Sequence, residues 1–516
     1  MTTQIIWGGT LLTGFDAAGE PVLLQDAGVA CEAGTILANG PLADLKAAYP
    51  EATVTGGRDF AITPGFVNAH HHVGLTPLQL GSPDHPLELW FASRIALRDV
   101  DLYADTLFSA FEMIESGVTT VQHLHSRAPG TPADILAAAE KVVGAYRDIG
   151  MRASYSMALR DQNRLVYEAD QDFVARLPEE LRPAASAFFQ RFTVPLSDQV
   201  AVFEELLARH GEGEGEAGRI RIQIAPANLH WLSEEALDVT GELQRRTGLP
   251  VHMHVLETPY QKAYARKRTG GSALAHLDRL GLLGPHFTIG HGVWMSEADI
   301  ELAAERGVCI CHNCSSNFRL KSGVAPVNRF LARGLPVALG IDEAGINDDR
   351  DMLQEMRLVL RAHREPGIDA PHPSPAQVLR MATEGGARTT PFAGRIGRLE
   401  PGMAADLVMF DWPTVTYPYQ DDGLGFVEVL VQRAKAKAVH SVMIAGDFVY
   451  RERRFTRLDR DAVLAGLAEA LGKPKTPAEQ DRIALSQALL PHVRRFYDGY
   501  LDGQGDEPFY RPSGRF

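Results

Sequence analysis

The 516-residue sequence holds only four cysteines, Cys31, Cys309, Cys311 and Cys314, and the last three fall within six positions. So few thiols, so bunched, form no disulfide framework, and a reducing cytoplasm is the expected setting. No apolar stretch approaches the ~18 residues that a membrane span requires, so no membrane partner is expected. The opening Met1-Thr-Thr-Gln-Ile-Ile-Trp-Gly-Gly lacks a cationic region, an apolar region and a small-residue cleavage site, so a secretory signal is not expected. Long basic runs are also absent, and 65 Asp and Glu against 51 Lys and Arg leave a net charge of −14. Phosphate binding needs clustered Lys and Arg, which excludes nucleic acid as the expected partner.

What remains is the profile of a soluble globular enzyme, 45% hydrophobic and 22% charged. The length calls for one large barrel with accessories, or for two to three domains. Short β-rich runs fill the first sixty residues (Gln4–Leu12, Val22–Ala30, Gly34–Ala38), and the same texture returns at Asp406–Phe410 and Val439–Val449. A small β-sandwich assembled from both chain ends, 1–60 and 396–460, is expected. Helices with an aromatic, polar tail follow over 461–516.

Between 61 and 395 one pattern recurs: a β-branched or apolar run ends in polar residues, and a segment of helical period follows. The runs are Phe66–His72, Val118–Leu124, Arg152–Leu159, Ile220–Ala225, Pro250–Leu256, Phe287–Val293, Val308–Cys314 and Pro336–Asp342. Helical segments between them include Leu102–Ser116, Pro132–Gly150, Asp198–Arg209, Glu234–Thr247, Ser296–Arg306 and Pro326–Arg333. Eight strands alternating with helices predict an α/β fold of the (β/α)₈ TIM-like kind, with a doubly wound open sheet as the alternative. The 160–218 connection is long for one crossover and ends in Gly211-Glu-Gly-Glu-Gly-Glu-Ala-Gly218, which reads as a solvated loop.

Several of these runs end on metal-competent side chains. Alternate residues of a strand share a face, so His70 and His72 point together and His71 points away. The fifth run supplies His252 and His254, with Glu257 just beyond; the sixth ends on His291 and the eighth on Asp342. In a barrel the C-terminal strand ends converge on one mouth, which brings His70, His72, His254 and Asp342 around a common point. Three nitrogens and a carboxylate suit Zn²⁺, with Fe²⁺ or Mn²⁺ as alternatives. His252 shares the face of His254 one layer deeper and reads as a supporting or core residue. Cys309-x-Cys311-His312-x-Cys314 is too closely spaced to wrap a second ion and reads as buried strand thiols.

The segment Pro64-Gly-Phe-Val-Asn-Ala-His-His-His72 resembles the opening metal motif of the amidohydrolase superfamily. His254-Val-Leu-Glu257, His291, Ser316-Asn317 and Asp342 are similar to its later motifs, in the same order. Ile396-Gly-Arg-Leu-Glu-Pro-Gly-Met-Ala-Ala-Asp-Leu-Val408 resembles the strand-returning segment after such barrels. The likeness covers roughly residues 4–450 and points to the aminohydrolase and chlorohydrolase branch, which includes guanine, adenosine-type and triazine-acting enzymes. Binuclear members often carry a bridging Lys on a middle strand. Here no Lys occurs between Lys141 and Lys262, so one divalent ion per chain is expected.

The resemblance implies an ion-activated water, with Asp342 accepting its proton. Glu257 would protonate a ring nitrogen and then the leaving group. His291 would orient the attacking water, or act as a fourth nitrogen ligand. The branch usually has Arg seven residues after the second metal His, where this chain has Gln79. Nucleoside-acting members commonly have His after the proline of the fourth strand, where Pro226 is followed by Ala227. Candidate substrate contacts are Gln79, Trp90, His123, His125, Asn228, Trp231 and Glu343; the two tryptophans can stack on a planar ring. The expected activity is hydrolytic deamination, or amine removal, at an amidine-like carbon of a nitrogen heterocycle. The alternatives are loss of another group such as halide, cyclic-amide hydrolysis, or a catalytically silent binding barrel. Such enzymes are often homodimers or larger.

Overall fold

The computed structural model describes residues 3–126, 128–211, 213 and 217–504. Its centre is a ring of parallel strands: Phe66–His71, Val118–His125, Arg152–Leu159, Ile220–Ile222 continued by Ala225–Pro226, Val251–Val255, Phe287–His291, Cys309–His312 and Val337–Leu339. The first four pair in sequence order, and so do the last four. Parallel bridges Ile224–Val251 and Asn228–His254 close one seam between the two sets, and His71–Asp342 closes the other. Closure at both seams decides for the barrel over an open sheet.

The strands are buried on both faces, which is why they read as near-continuous runs of β-branched and apolar residues. Every residue of Val118–His125, for example, is buried. The helices between them carry clear stop and start signals. Pro132–Ile149 begins at a Thr131/Asp134 capping box and ends at Gly150, whose φ of 82° no β-carbon-bearing residue adopts without strain.

Both chain ends build the second layer, and its hydrogen bonding is one continuous mixed sheet of eight strands, not two separate ones. Gln4–Phe15 and Thr53–Pro64 run parallel at its centre, and the other neighbours are antiparallel. Leu407–Asp411 pairs directly with Thr53–Pro64, which joins the two termini. Ile6, Leu11, Val29, Ile62, Leu407 and Met409 form a separate core within this sheet. A buried ion pair pins the sheet to the barrel, with Arg152 Nε 2.8 Å from Asp406 Oδ2.

The 160–218 connection carries helices Asp170–Ala175, Arg182–Gln190 and Leu196–His210. Of its terminal acidic tract, Glu212, Glu214 and Glu216 lie outside the described residues. The C-terminal helix Pro477–Tyr497 lays Leu489, Val493 and Tyr497 against Leu89, Ile95, Leu165 and Phe188, so it covers its own chain. Phe509 and Tyr510 of the tail lie outside the described residues. Among the described helices none is long and apolar enough to cross a membrane.

Candidate active site

At the C-terminal mouth of the barrel, Nε2 of His70 lies 3.0 Å from that of His72 and 3.1 Å from that of His254, and the last two are 3.1 Å apart. Each ring is fixed from behind. His72 Nδ1 donates to Leu124 O at 2.6 Å and His254 Nδ1 to Ala227 O at 2.9 Å. A carbonyl only accepts, so those Nδ1 atoms carry the protons and the Nε2 lone pairs face inward. His70 Nδ1 is 2.8 Å from Nε2 of His252, which sits one layer deeper as its position in the strand implies. Burial first, then the neighbouring imidazoles, hold His70 and His254 far below the usual histidine range, so both are neutral.

Three inward lone pairs at this spacing repel one another unless a cation lies between them. Nitrogens that share one zinc at 2.0–2.1 Å stand roughly 3.0–3.4 Å apart, so the triangle fits a metal ion. Asp342 completes the donor set, with Oδ1 3.3 Å from His72 Nε2 and 3.8 Å from His70 Nε2. Its backbone N–H donates to His70 O at 2.8 Å, across the closing seam of the barrel. Gly340 makes that approach possible, since a β-carbon there would lie 2.5 Å from His70 Cβ. Asp342 at φ 64°, His291 at φ 72° and Leu256 at φ 54° all take the left-handed conformation at the mouth, a local strain concentrated at the site.

Around these candidate donors stand groups able to move protons. Asp342 Oδ2 accepts from Ser316 Oγ at 2.7 Å and lies 3.6 Å from His291 Nε2. His291 Nδ1 donates to Asn317 Oδ1 at 2.9 Å, which turns its Nε2 toward Asp342 and Glu257. Glu257 Oε2 is 3.9 Å from that nitrogen, and its Oε1 accepts from Ser322 Oγ at 3.2 Å. Burial raises the Glu257 pKa, with the nearby His291 opposing and Asp342 adding to the rise, so the acid form is favoured.

A pocket opens above this cluster, and His72, His254, Glu257, His291 and Asp342 all line it. Of the sequence-predicted substrate contacts, Trp90, Trp231 and Glu343 line it too. Gln79, His123, His125 and Asn228 do not. Gln79 is exposed and caps its own turn, with Oε1 accepting from Thr76 N at 2.8 Å. His123 and His125 turn to the tyrosines behind them, Nδ1 to Tyr146 OH and Tyr155 OH, 2.8 Å in each case. Asn228 lies beside His254 in the fourth-to-fifth strand bridge.

Two arginines of the pocket escape a reading by sequence alone. Arg94 stacks 4.4 Å over Trp90 and pairs with Glu343 at 2.8 Å, and Arg160 stacks 4.2 Å over Trp231. Arg94 lies one helical turn past Trp90, the only local signal of its place. The Arg160–Trp231 contact joins distant segments and leaves no such trace. Elsewhere, His71 bonds to Ser109 Oγ at 3.2 Å, and all four cysteines are free and buried.

Residues 61–449 match the model of the amidohydrolase family. The chain belongs to that family. This amidohydrolase is 31% identical over 439 residues to a 5-methylthioadenosine/S-adenosylhomocysteine deaminase of Syntrophobacter fumaroxidans, covering 84% of this chain and 90% of that one. Its fold is similar to an adenosine deaminase from Xanthomonas campestris with bound zinc: TM-score 0.76, 26% identity, 94% of this chain and 99% of that one. A zinc complex of atrazine chlorohydrolase from Arthrobacter aurescens, 20% identical, superposes with a TM-score of 0.77 over 91% of this chain and 99% of that one.

Proposed function

We propose that this amidohydrolase is a hydrolytic deaminase of an amino-substituted nitrogen heterocycle, of the aminopurine type, holding one divalent metal ion, with zinc first and iron or manganese as alternatives. The observation that carries the reading is a buried Glu257 facing the same pocket as the three-histidine triangle and Asp342, yet held apart from it by His291. The donor set is complete without a lysine, and Glu257 is left over for substrate. The names of the relatives support the aminopurine class. Gln79 and Ala227, by contrast, depart from the nucleoside-acting pattern, so the group attached to the ring is a separate question.

His70, His72, His254 and Asp342 would hold the ion, which when bound makes a water nucleophilic at neutral pH. Asp342, steadied by Ser316, takes the proton released by that water at a carboxylate oxygen. His291 Nε2, the acceptor of that ring when Nδ1 carries the proton, orients the attacking water by accepting from its O–H. Glu257 gives its proton to the ring nitrogen next to the reacting carbon, and so lets that carbon accept the water. The proton collected from the water then leaves with the amine as ammonia. The hydroxyl left on the carbon returns its own proton to Glu257 as it becomes the ring carbonyl, so the acid form of Glu257 is restored. Trp90 and Trp231, each backed by an arginine, present flat faces against which a planar ring can stack.

The test pairs elemental analysis of the purified protein with an ammonia-release screen over aminopurines, pterins, aminopyrimidines and triazines. One ion per chain and ammonia from a purine is the expected result. Two ions per chain would break the ligand assignment and reopen cyclic-amide hydrolysis. One ion with halide or alkylamine released, and no ammonia from any ring, would move the reaction to another leaving group.

A further inference from the structure

A second chamber adjoins the catalytic pocket, and the two share Ser126, Ala158 and Arg160 in their walls. It is roofed by the long connection after the third barrel strand. Phe188, Phe192, Val194 and Val202 come from that connection, and Ile135 and Met157 come from the barrel side. Two of its polar side chains, Gln199 and Arg164, are turned to the protein. Gln199 accepts from Arg160 N at 3.0 Å through Oε1 and donates to Arg160 O and Val194 O, at 3.0 and 2.9 Å, through Nε2. Arg164 spends its charge on Asp170 at 2.7 Å, and its Nε donates to Phe192 O at 3.2 Å. No acidic side chain lines the chamber among the described residues.

We infer that this chamber is a substrate subsite for an uncharged, apolar substituent on the ring, an alkyl, thioalkyl or aryl group. The inference rests on the deaminase reading above and narrows it. Two observations exclude a charged tail as the preferred occupant. A zwitterionic amino-acid end placed here would lose its water and meet Phe188, Val194 and Val202, with no acidic side chain among the described residues for its ammonium. Of the two arginines in the wall, Arg164 is already paired with Asp170, and Arg160 stands at the wall shared with the catalytic pocket, stacked on Trp231. The ring itself stays in the catalytic pocket between Trp90 and Trp231. The substituent then passes the shared wall at Ser126 and Ala158, with the Arg160 guanidinium beside its root. That position suits an ether, hydroxyl or carbonyl oxygen where the substituent leaves the ring, and a hydrocarbon or thioether end beyond it.

The experiment uses the metal-loaded full chain and adenine, 9-methyl-, 9-ethyl-, 9-propyl- and 9-butyladenine, with 9-(3-carboxypropyl)adenine as the charged counterpart of butyl. Burial of each added methylene raises kcat/KM about fourfold, or about sixtyfold from methyl to butyl, and the carboxylate forfeits the gain. Val202→Phe, and separately Val194→Trp, fill the chamber and flatten the series while leaving adenine turnover unchanged; either variant suffices if the other fails to fold. Affinity for the same series in Glu257→Gln, by calorimetry, reads the chamber without turnover. Affinity that rises with chain length while no ring releases ammonia would sink the deaminase reading and keep the subsite. Turnover and affinity that are flat with chain length, or better with the carboxylate than with butyl, would overturn the subsite.

Discussion

Replacing His252 by Ala tests whether the metal centre is built from behind as well as from the front. His70 is wholly buried and His252 is 1% exposed, and their nitrogens meet at 2.8 Å. Without His252, the Nδ1–H of His70 loses its acceptor inside the barrel, which costs about 1–3 kcal/mol if nothing replaces it. The loss falls on the ligand geometry, because that bond sets both the tautomer and the tilt of the His70 ring. Removal of such a supporting partner lowers metal affinity about 10–100-fold. Competition for Zn²⁺ against a chelator of known affinity reads this directly, and the melting temperature of metal-free protein reports any general loss of packing. His252→Gln, whose side-chain carbonyl can accept the same proton, should recover part of the affinity. Unchanged zinc affinity in a folded His252→Ala protein would refute the reasoning, and so would equal losses in the Ala and Gln variants.

Three further outcomes follow from the same geometry. Glu257→Gln keeps the shape of the site but removes the transferable proton, so kcat should fall about 10²–10⁴-fold with bound metal unchanged; near-native kcat would remove Glu257 from its proposed role. Ser316→Ala deletes the 2.7 Å bond to Asp342 Oδ2 and should lower kcat more than it raises KM, by about tenfold; a change confined to KM would place Ser316 against substrate instead. Burial pushes the Glu88 pKa up to about 7, against opposing hydrogen bonds from Thr258 and Tyr167. Between about 4.5 and 7 the folded chain therefore keeps a proton that the unfolded chain releases, and stability falls as pH rises through that window, by about 3 kcal/mol at most, with no further loss from this group above it. In Glu88→Gln that part of the slope should vanish from melting curves taken across the window; an unaltered slope would contradict it.

The local pattern of the chain determined the barrel and the gathering of the candidate ligands at its mouth. A strand end is a local object, so alternation alone places His70 and His72 on one face and His71 on the other, and sets His252 one layer below His254. The barrel mouth then gathers candidate ligands as far apart in the chain as His70 and Asp342, because every strand end points the same way. Tertiary structure decided what surrounds them. The two termini meet in one continuous sheet because Leu407–Asp411 finds its partner in Thr53–Pro64, a pairing across chain ends that no local period encodes. His123 and His125 have the composition of substrate contacts but turn to buried tyrosines, since a neighbouring hydroxyl satisfies an imidazole as well as a ligand does. Arg160 stands in the pocket stacked on Trp231, a residue distant in the chain, and the apolar chamber is walled by the 160–218 connection folded back over the barrel. Ligands are dictated by side-chain chemistry repeated at strand ends, whereas the shape of a pocket depends on which distant surfaces pack together, and that is settled only when the chain closes.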